Sequence, residues 1–109
     1  MAQAPLGEFE VVVLMAVLQR GDDAYGTTII EEIGERTGRR VSRGSVYVTL
    51  DRLEQKHLLT SRLDGVSAAR GGRPKRLFHA TSSGIRAVRH SVSTLSRMKA
   101  GLEPLLGDS

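Results

Sequence analysis

Ser42-Arg43-Gly44-Ser45-Val46-Tyr47-Val48-Thr49-Leu50-Asp51-Arg52-Leu53-Glu54-Gln55-Lys56-His57 is the stretch that decides the fold. At 100° per residue, Val46, Leu50 and Leu53 fall in one narrow apolar stripe, and Val48, Asp51, Arg52 and Gln55 lie opposite it. Tyr47 and Lys56 occupy the flanks. Ser42 or Ser45 can cap such a helix, and its end is expected near His57. A helix with so narrow a buried stripe keeps most of its circumference free for another molecule.

Upstream, Gly7 to Arg20 reads Gly-Glu-Phe-Glu-Val-Val-Val-Leu-Met-Ala-Val-Leu-Gln-Arg and is followed by Gly21. The run Val11-Val12-Val13 would also suit a buried strand. Its length, the acids at its start, the base at its end and the glycine just beyond favour a helix. From Val11 to Leu18 that helix is apolar nearly all round, so a partner subunit is expected to cover part of it. Asp22-Asp23 can cap a second helix with Tyr25, Ile29 and Ile33 on one face and Ile30 beside them. Gly26 and Gly34 each weaken it by about 1 kcal/mol relative to Ala. It should stop at Thr37-Gly38, where glycine can turn left-handed.

Downstream, Leu58 to Leu63 is a short strand candidate, and Arg76 to Ala80 is a candidate for its return. The connection from Asp64 to Lys75 is too long for a tight hairpin and holds Arg70, Arg73, Lys75 and Arg76 around its tip. Thr81-Ser82-Ser83-Gly84 then leads into a helix with Ile85, Val88, Val92, Leu95 and Leu102 at alternating spacings of three and four, Lys99 filling the missing position. That is a heptad seam, broken once. The order is three helices, strand, basic loop, strand, long helix. The fold class expected is mainly α with a small β-hairpin: a winged helix-turn-helix over residues 1–80, and a C-terminal dimerisation helix over 81–109 packed on the same domain.

Charge is distributed unevenly along these elements. Residues 1–35 carry seven acids and one base, residues 36–80 eleven bases and three acids, and residues 81–109 four bases and two acids. The net +4 of the 109-residue chain therefore comes from a block of +8 that spans the turn, the third helix and the wing. A solvated surface has no reason to concentrate its bases in those elements. In a helix-turn-helix the second helix of the pair, here Ser42–Lys56 after Ala24–Thr37, enters the major groove with its N-terminal residues toward the bases. Double-stranded DNA is the partner this layout implies. Arg43, Ser45 and Tyr47 would stand at the helix start, where free backbone amides also favour a phosphate. Val48 could meet a thymine methyl, and Arg52 a guanine edge or a phosphate, with Lys56 at the far end. Arg70, Arg73, Lys75 and Arg76 would reach the backbone or the minor groove.

Other chemistries find little support in the sequence. With no cysteine there is no disulfide, thiolate site or cysteine nucleophile. His57, His79 and His90 have no companion carboxylates at metal spacing, so no metal, cofactor or catalytic residue is expected, and the chain is expected not to be an enzyme. The longest apolar run, Val11 to Leu18, has eight residues against the roughly 18 of a membrane span. No basic segment precedes an apolar one at the N-terminus, so no secretory signal is readable and a cytoplasmic location is expected.

Leu6-Gly7-Glu8-Phe9-Glu10, Asp23-Ala24-Tyr25-Gly26, Arg36-Thr37-Gly38-Arg39, Ser42-Arg43-Gly44-Ser45-Val46-Tyr47, Thr49-Leu50-Asp51-Arg52-Leu53-Glu54 and Arg70-Gly71-Gly72-Arg73 together resemble the PadR family of bacterial transcriptional regulators. The likeness runs from about residue 6 to 100, and its compact C-terminal region is similar to the short branch of the family. The resemblance implies a winged helix-turn-helix homodimer, usually a repressor, joined through its first and last helices. It also implies operator contacts from Tyr47, its neighbours and the wing bases. Phe9, Val12 and Val13 in the first helix and Ile85, Val88, Val92, Leu95 and Leu102 in the last are the interface residues expected here. Val48 stands where the family commonly has Pro, His57 where Gly commonly closes the third helix, and Ala80 where a larger apolar residue is usual. Some compact relatives bind flat aromatic drugs between tryptophans at the dimer centre. This chain has no Trp, so that ligand mode does not carry over, and the identity of any small-molecule effector is left open. The alternative reading, of a different class, is a dimeric winged-helix adaptor that binds another protein and no operator.

Overall fold

The computed structural model describes residues 5–65 and 75–107. Its elements are α1 (Glu8–Arg20), a 3-10 turn (Gly21–Asp23), α2 (Gly26–Thr37), α3 (Arg43–Gln55), β1 (Leu59–Asp64), β2 (Lys75–Ala80), α4 (Ser82–Lys99) and α5 (Glu103–Leu106). Strands β1 and β2 pair antiparallel, from Leu59 opposite Ala80 to Asp64 opposite Lys75. The helices packed over this hairpin make a winged helix-turn-helix.

Helix α1 is the centre. It packs against α2, α3, β2 and α4, and Val13, Leu14 and Val17 are fully buried among Ile29, Ile33, Val46, Leu50, Leu53 and Phe78. At its start the Gly7 amide donates to Glu10 Oε1 at 2.9 Å. At its end Gly21 takes a φ of 56°. Arg20 Nε donates to Glu32 Oε1 at 2.7 Å, and Arg36 Nε donates to the other oxygen of the same carboxylate, which fastens α2 to α1.

The start of α2 differs from the expectation that Asp22-Asp23 would cap it. Those two residues form the 3-10 turn, and the helix begins at Gly26. The cause is a long-range pairing. Ala24-Tyr25 is drawn out as a third rung on the sheet, with the Phe78 amide donating to the Ala24 carbonyl at 2.9 Å and Tyr25 bridging Leu77. The first free amide is met instead by Thr28, whose Oγ1 accepts from the Tyr25 N–H at 2.9 Å. The expected stop is present: Gly38 is left-handed at φ 69°.

In α3, Ser42 supplies the cap, its Oγ accepting from the Ser45 amide at 3.1 Å. Val46, Leu50 and Leu53 are fully buried, and Thr49 joins them. The helix closes in a Schellman turn. The His57 amide donates to Glu54 O and the Leu58 amide to Leu53 O, both at 3.0 Å, and His57 sits at φ 62°. The chain then enters β1 directly. Thr81 reaches back to this corner, its hydroxyl donating to His57 O at 2.8 Å and its amide to Leu58 O at 3.0 Å. A Cβ at Gly84 would overlap the Leu58 carbonyl, so only glycine lets α4 lie so close.

Thr81 caps α4, accepting from the Gly84 amide at 3.0 Å. Its first half is anchored by Ala87 and Val88, and from Arg89 onward almost every residue is exposed. The radius of gyration is 15.7 Å, against roughly 13 Å for a compact chain of this length, as expected if this helix stands out from the body. The helix expected to carry the once-broken seam as far as Leu102 is shorter than its spacing suggested. Helix α4 ends at Lys99, Gly101 adopts φ 90°, and Leu102 lies at the start of the short α5.

The left-handed position at His57 costs an L-residue about 1–2 kcal/mol, partly offset by the unfolded-state entropy that glycine would add. His57→Gly is therefore expected to stabilise the fold by about 0.5–1 kcal/mol, read as a higher denaturation midpoint at unchanged m-value.

Candidate nucleic-acid interface

The outer face of α3 is as free as its pattern suggested. Val48 is 56% exposed, and Arg43, Asp51, Arg52 and Gln55 are exposed around it. Arg43 lies with its guanidinium carbon 5.6 Å from the centre of the Tyr47 ring, a cation–π distance. Tyr47 itself is half-buried, because its ring lies against the first turn of α2. A Cβ at Gly26 would overlap its hydroxyl, which gives this helix-weakening glycine a purpose. Ser45 Oγ stays within the first turn, donating to Ser42 O at 3.0 Å.

The wing stem lies beside α3. Strand β1 is the one that packs on α3, and Arg76 of β2 reaches toward the same helix, its Nη1 4.0 Å from Asp51 Oδ1. Lys75 Nζ stands 5.2 Å from the centre of the Tyr25 ring. Arg70 and Arg73 lie outside the described residues.

Lys56 differs from the other expected contacts. Its Nζ donates to Glu10 Oε2 at 2.8 Å, tying the end of α3 to α1. Glu10 is nearly buried. Burial alone pushes its carboxyl up, but hydrogen bonds from Lys56 and the Gly7 amide, with the charges of Lys56 and Arg52, hold it below the usual carboxylate range. Arg39 is similarly engaged with Glu8 at 3.2 Å. Part of the basic block is thus neutralised by acids of α1, and the bases left for a polyanion are fewer than the sequence count. No local signal gives these pairs away, since Glu10 and Lys56 are 46 residues apart.

The residues expected to pair two copies divide into three groups. Ile85, Val92 and Leu95 on α4 and Leu102 at the start of α5 are exposed, with Met98 beside them in the series, and Leu95 and Met98 are 68% and 73% exposed. Phe9 and Val12 are half-buried on α1, where Val12 and Met15 help line a groove of about 220 Å³ against α2. Val13 and Val88 are buried in the protomer's own core, so neither offers a surface to a second chain. Among the described residues no helix is long and apolar enough to cross a membrane.

A model of the transcriptional regulator PadR-like family matches residues 14–90, from within α1 through the helix pair and wing into α4. The chain belongs to this family. A PadR family transcription regulator from Clostridium difficile superposes with a TM-score of 0.75 at 25% identity, over 93% of this chain and 100% of that one. A PadR-like transcriptional regulator from Bacillus cereus gives 0.72 at 21% identity, over 93% of each chain. A winged-helix DNA-binding protein from STIV shares the fold at 13% identity, with a TM-score of 0.71 over 90% of this chain and 98% of that one. No curated protein matches. This PadR-like chain is a DNA-binding transcriptional regulator, and its winged helix-turn-helix is the element suited to the duplex.

Because the carboxyl of Glu10 is held down in the folded state, its pair with Lys56 contributes stability above the ordinary carboxylate range and loses it as pH falls through the folded value. Glu10→Gln is expected to cost about 1 kcal/mol at pH 7. It should also flatten the acid limb of a stability–pH curve measured by urea unfolding.

Proposed function

We propose that this PadR-like protein is a homodimeric, sequence-specific repressor acting in the cytoplasm without enzymatic activity. The observation that carries this reading is the free outer face of α3, a helix that packs on β1 and has Arg76 of β2 within reach of Asp51. On that surface Arg43 and the first turn of α3, with Ser45 and Tyr47, hold a phosphate. Val48 and Arg52 face the base edges in the major groove. Arg76, Lys75 and the wing residues Arg70 and Arg73 follow the sugar-phosphate backbone. Lys56 acts indirectly, fixing the end of α3 through its pair with Glu10.

A second copy is supported by the exposed apolar row of Ile85, Val92, Leu95 and Met98, with Leu102, Leu105 and Leu106 beyond it. Charge favours placing that row against the partner's first helices. Helix α4 carries Arg86, Arg89, Arg97 and Lys99 and no acid, whereas the segment 8–37 carries seven acids and two bases. Phe9 and Val12 then share the interface. Two recognition helices related by a two-fold axis would read half-sites roughly 34–36 Å apart.

Two measurements test this. In an anisotropy titration, the protein should prefer the DNA upstream of its own gene to random duplex. Its affinity should fall with salt by close to one decade per decade for each phosphate neutralised, and Arg73→Ala should weaken all sequences together. Equal affinity for random DNA would exclude an operator. Val92→Glu with Leu95→Glu should give a monomer in sedimentation and abolish operator affinity; an unchanged sedimentation profile would place the interface elsewhere.

A further inference from the structure

The two parts of the proposed DNA surface, recognition helix and wing, are keyed to adjacent residues at the start of α2. Gly26 receives the Tyr47 hydroxyl of α3. Tyr25 points its phenol to the wing, donating to Asp64 Oδ2 at 2.5 Å, with the Lys75 ammonium over its ring. Among the described residues, Asp64 and Lys75 are the outermost pair of the hairpin. Tyr25 is itself held by its bridge to Leu77 and by the neighbouring Ala24–Phe78 hydrogen bond, so the anchor is part of the sheet it steers.

Resting on the reading that wing and α3 bind DNA together, we infer that Tyr25 is a positioning residue that sets the direction of the wing against the recognition helix. The chemistry suits the task. A neutral phenol donor ties down the only carboxylate of the hairpin without adding charge, and the ring face holds the ammonium that stands opposite it in register. With the hydroxyl removed, Asp64 loses its hydrogen bond to the helix pair, the ring keeps Lys75, and β1 and β2 remain paired from Leu59 to Leu63. The wing bases are then presented over a spread of angles, and DNA that engages them must pay the cost of ordering them.

The test uses Tyr25→Phe, which keeps the ring and deletes the hydroxyl. The chain has no cysteine, so Gln55→Cys on α3 and Gly65→Cys beyond β1 give two spin-label sites. A side chain at Gly65 meets open space. Labelled chain diluted with unlabelled chain isolates the distance within one protomer. In the Tyr25→Phe background the distance distribution should broaden, with the circular dichroism spectrum unchanged. Operator affinity should fall about five- to tenfold, and Arg73→Ala should then cost less than it does in the parent, while Arg43→Ala costs the same. An unmoved distance distribution overturns the inference whatever the DNA result. A broadened distribution with unchanged affinity and additive Arg73→Ala shows that wing direction does not govern binding and overturns it too. Loss of operator preference in the parent chain itself would instead remove the DNA reading on which it rests.

Discussion

Val13, Leu14 and Val17 of α1 lie at the point where α2, α3, β2 and α4 converge, and the burial of that helix holds the rest in place. Removing each such side chain from water is worth about 1.5–3 kcal/mol. Four elements can approach one helix this closely only if its near-buried polar group is satisfied, and the Glu10 carboxylate is, by Lys56 and the Gly7 amide. That ion pair also fixes the end of α3, so the packing of the core and the aim of the recognition helix are one constraint.

The split of charge along the chain acquires two meanings in three dimensions. Some of it is internal, since Glu8 and Glu10 take up Arg39 and Lys56, and Glu32 is shared by Arg20 and Arg36. What remains outward is concentrated on α3, the wing stem and α4. The basic block is therefore part frame and part outward surface, and a residue's sign says little until its neighbours are known.

Much of the fold was legible because its signals are local. The cap at Ser42, the left-handed Gly38 and the stripe Val46, Leu50, Leu53 depend on residues within a turn or two of one another, and His57, at the place where the family commonly has Gly, is left-handed as a glycine there would be. The failures share a different cause. Asp22-Asp23 looked like a cap, but pairing of Ala24-Tyr25 with β2, more than fifty residues downstream, moved the helix start. Val13 and Val88 fitted an interface by spacing, yet the core claimed them, because periodicity identifies an apolar face without saying whose surface covers it. Tyr25 read as one more residue of an apolar stripe, and nothing local tells that its hydroxyl finds Asp64 39 residues away.

At the corner formed by His57 and Leu58, the end of α3, the start of β1 and the cap of α4 are joined by backbone and by two hydrogen bonds from Thr81, with Gly84 pressed on the Leu58 carbonyl. There is no slack linker between α4 and α3. A rotation imposed on α4 is consequently carried to α3 as rigid-body movement. In a dimer built on α4, an inducer would work as a change of gauge, moving two intact reading heads out of step with the DNA repeat without melting either.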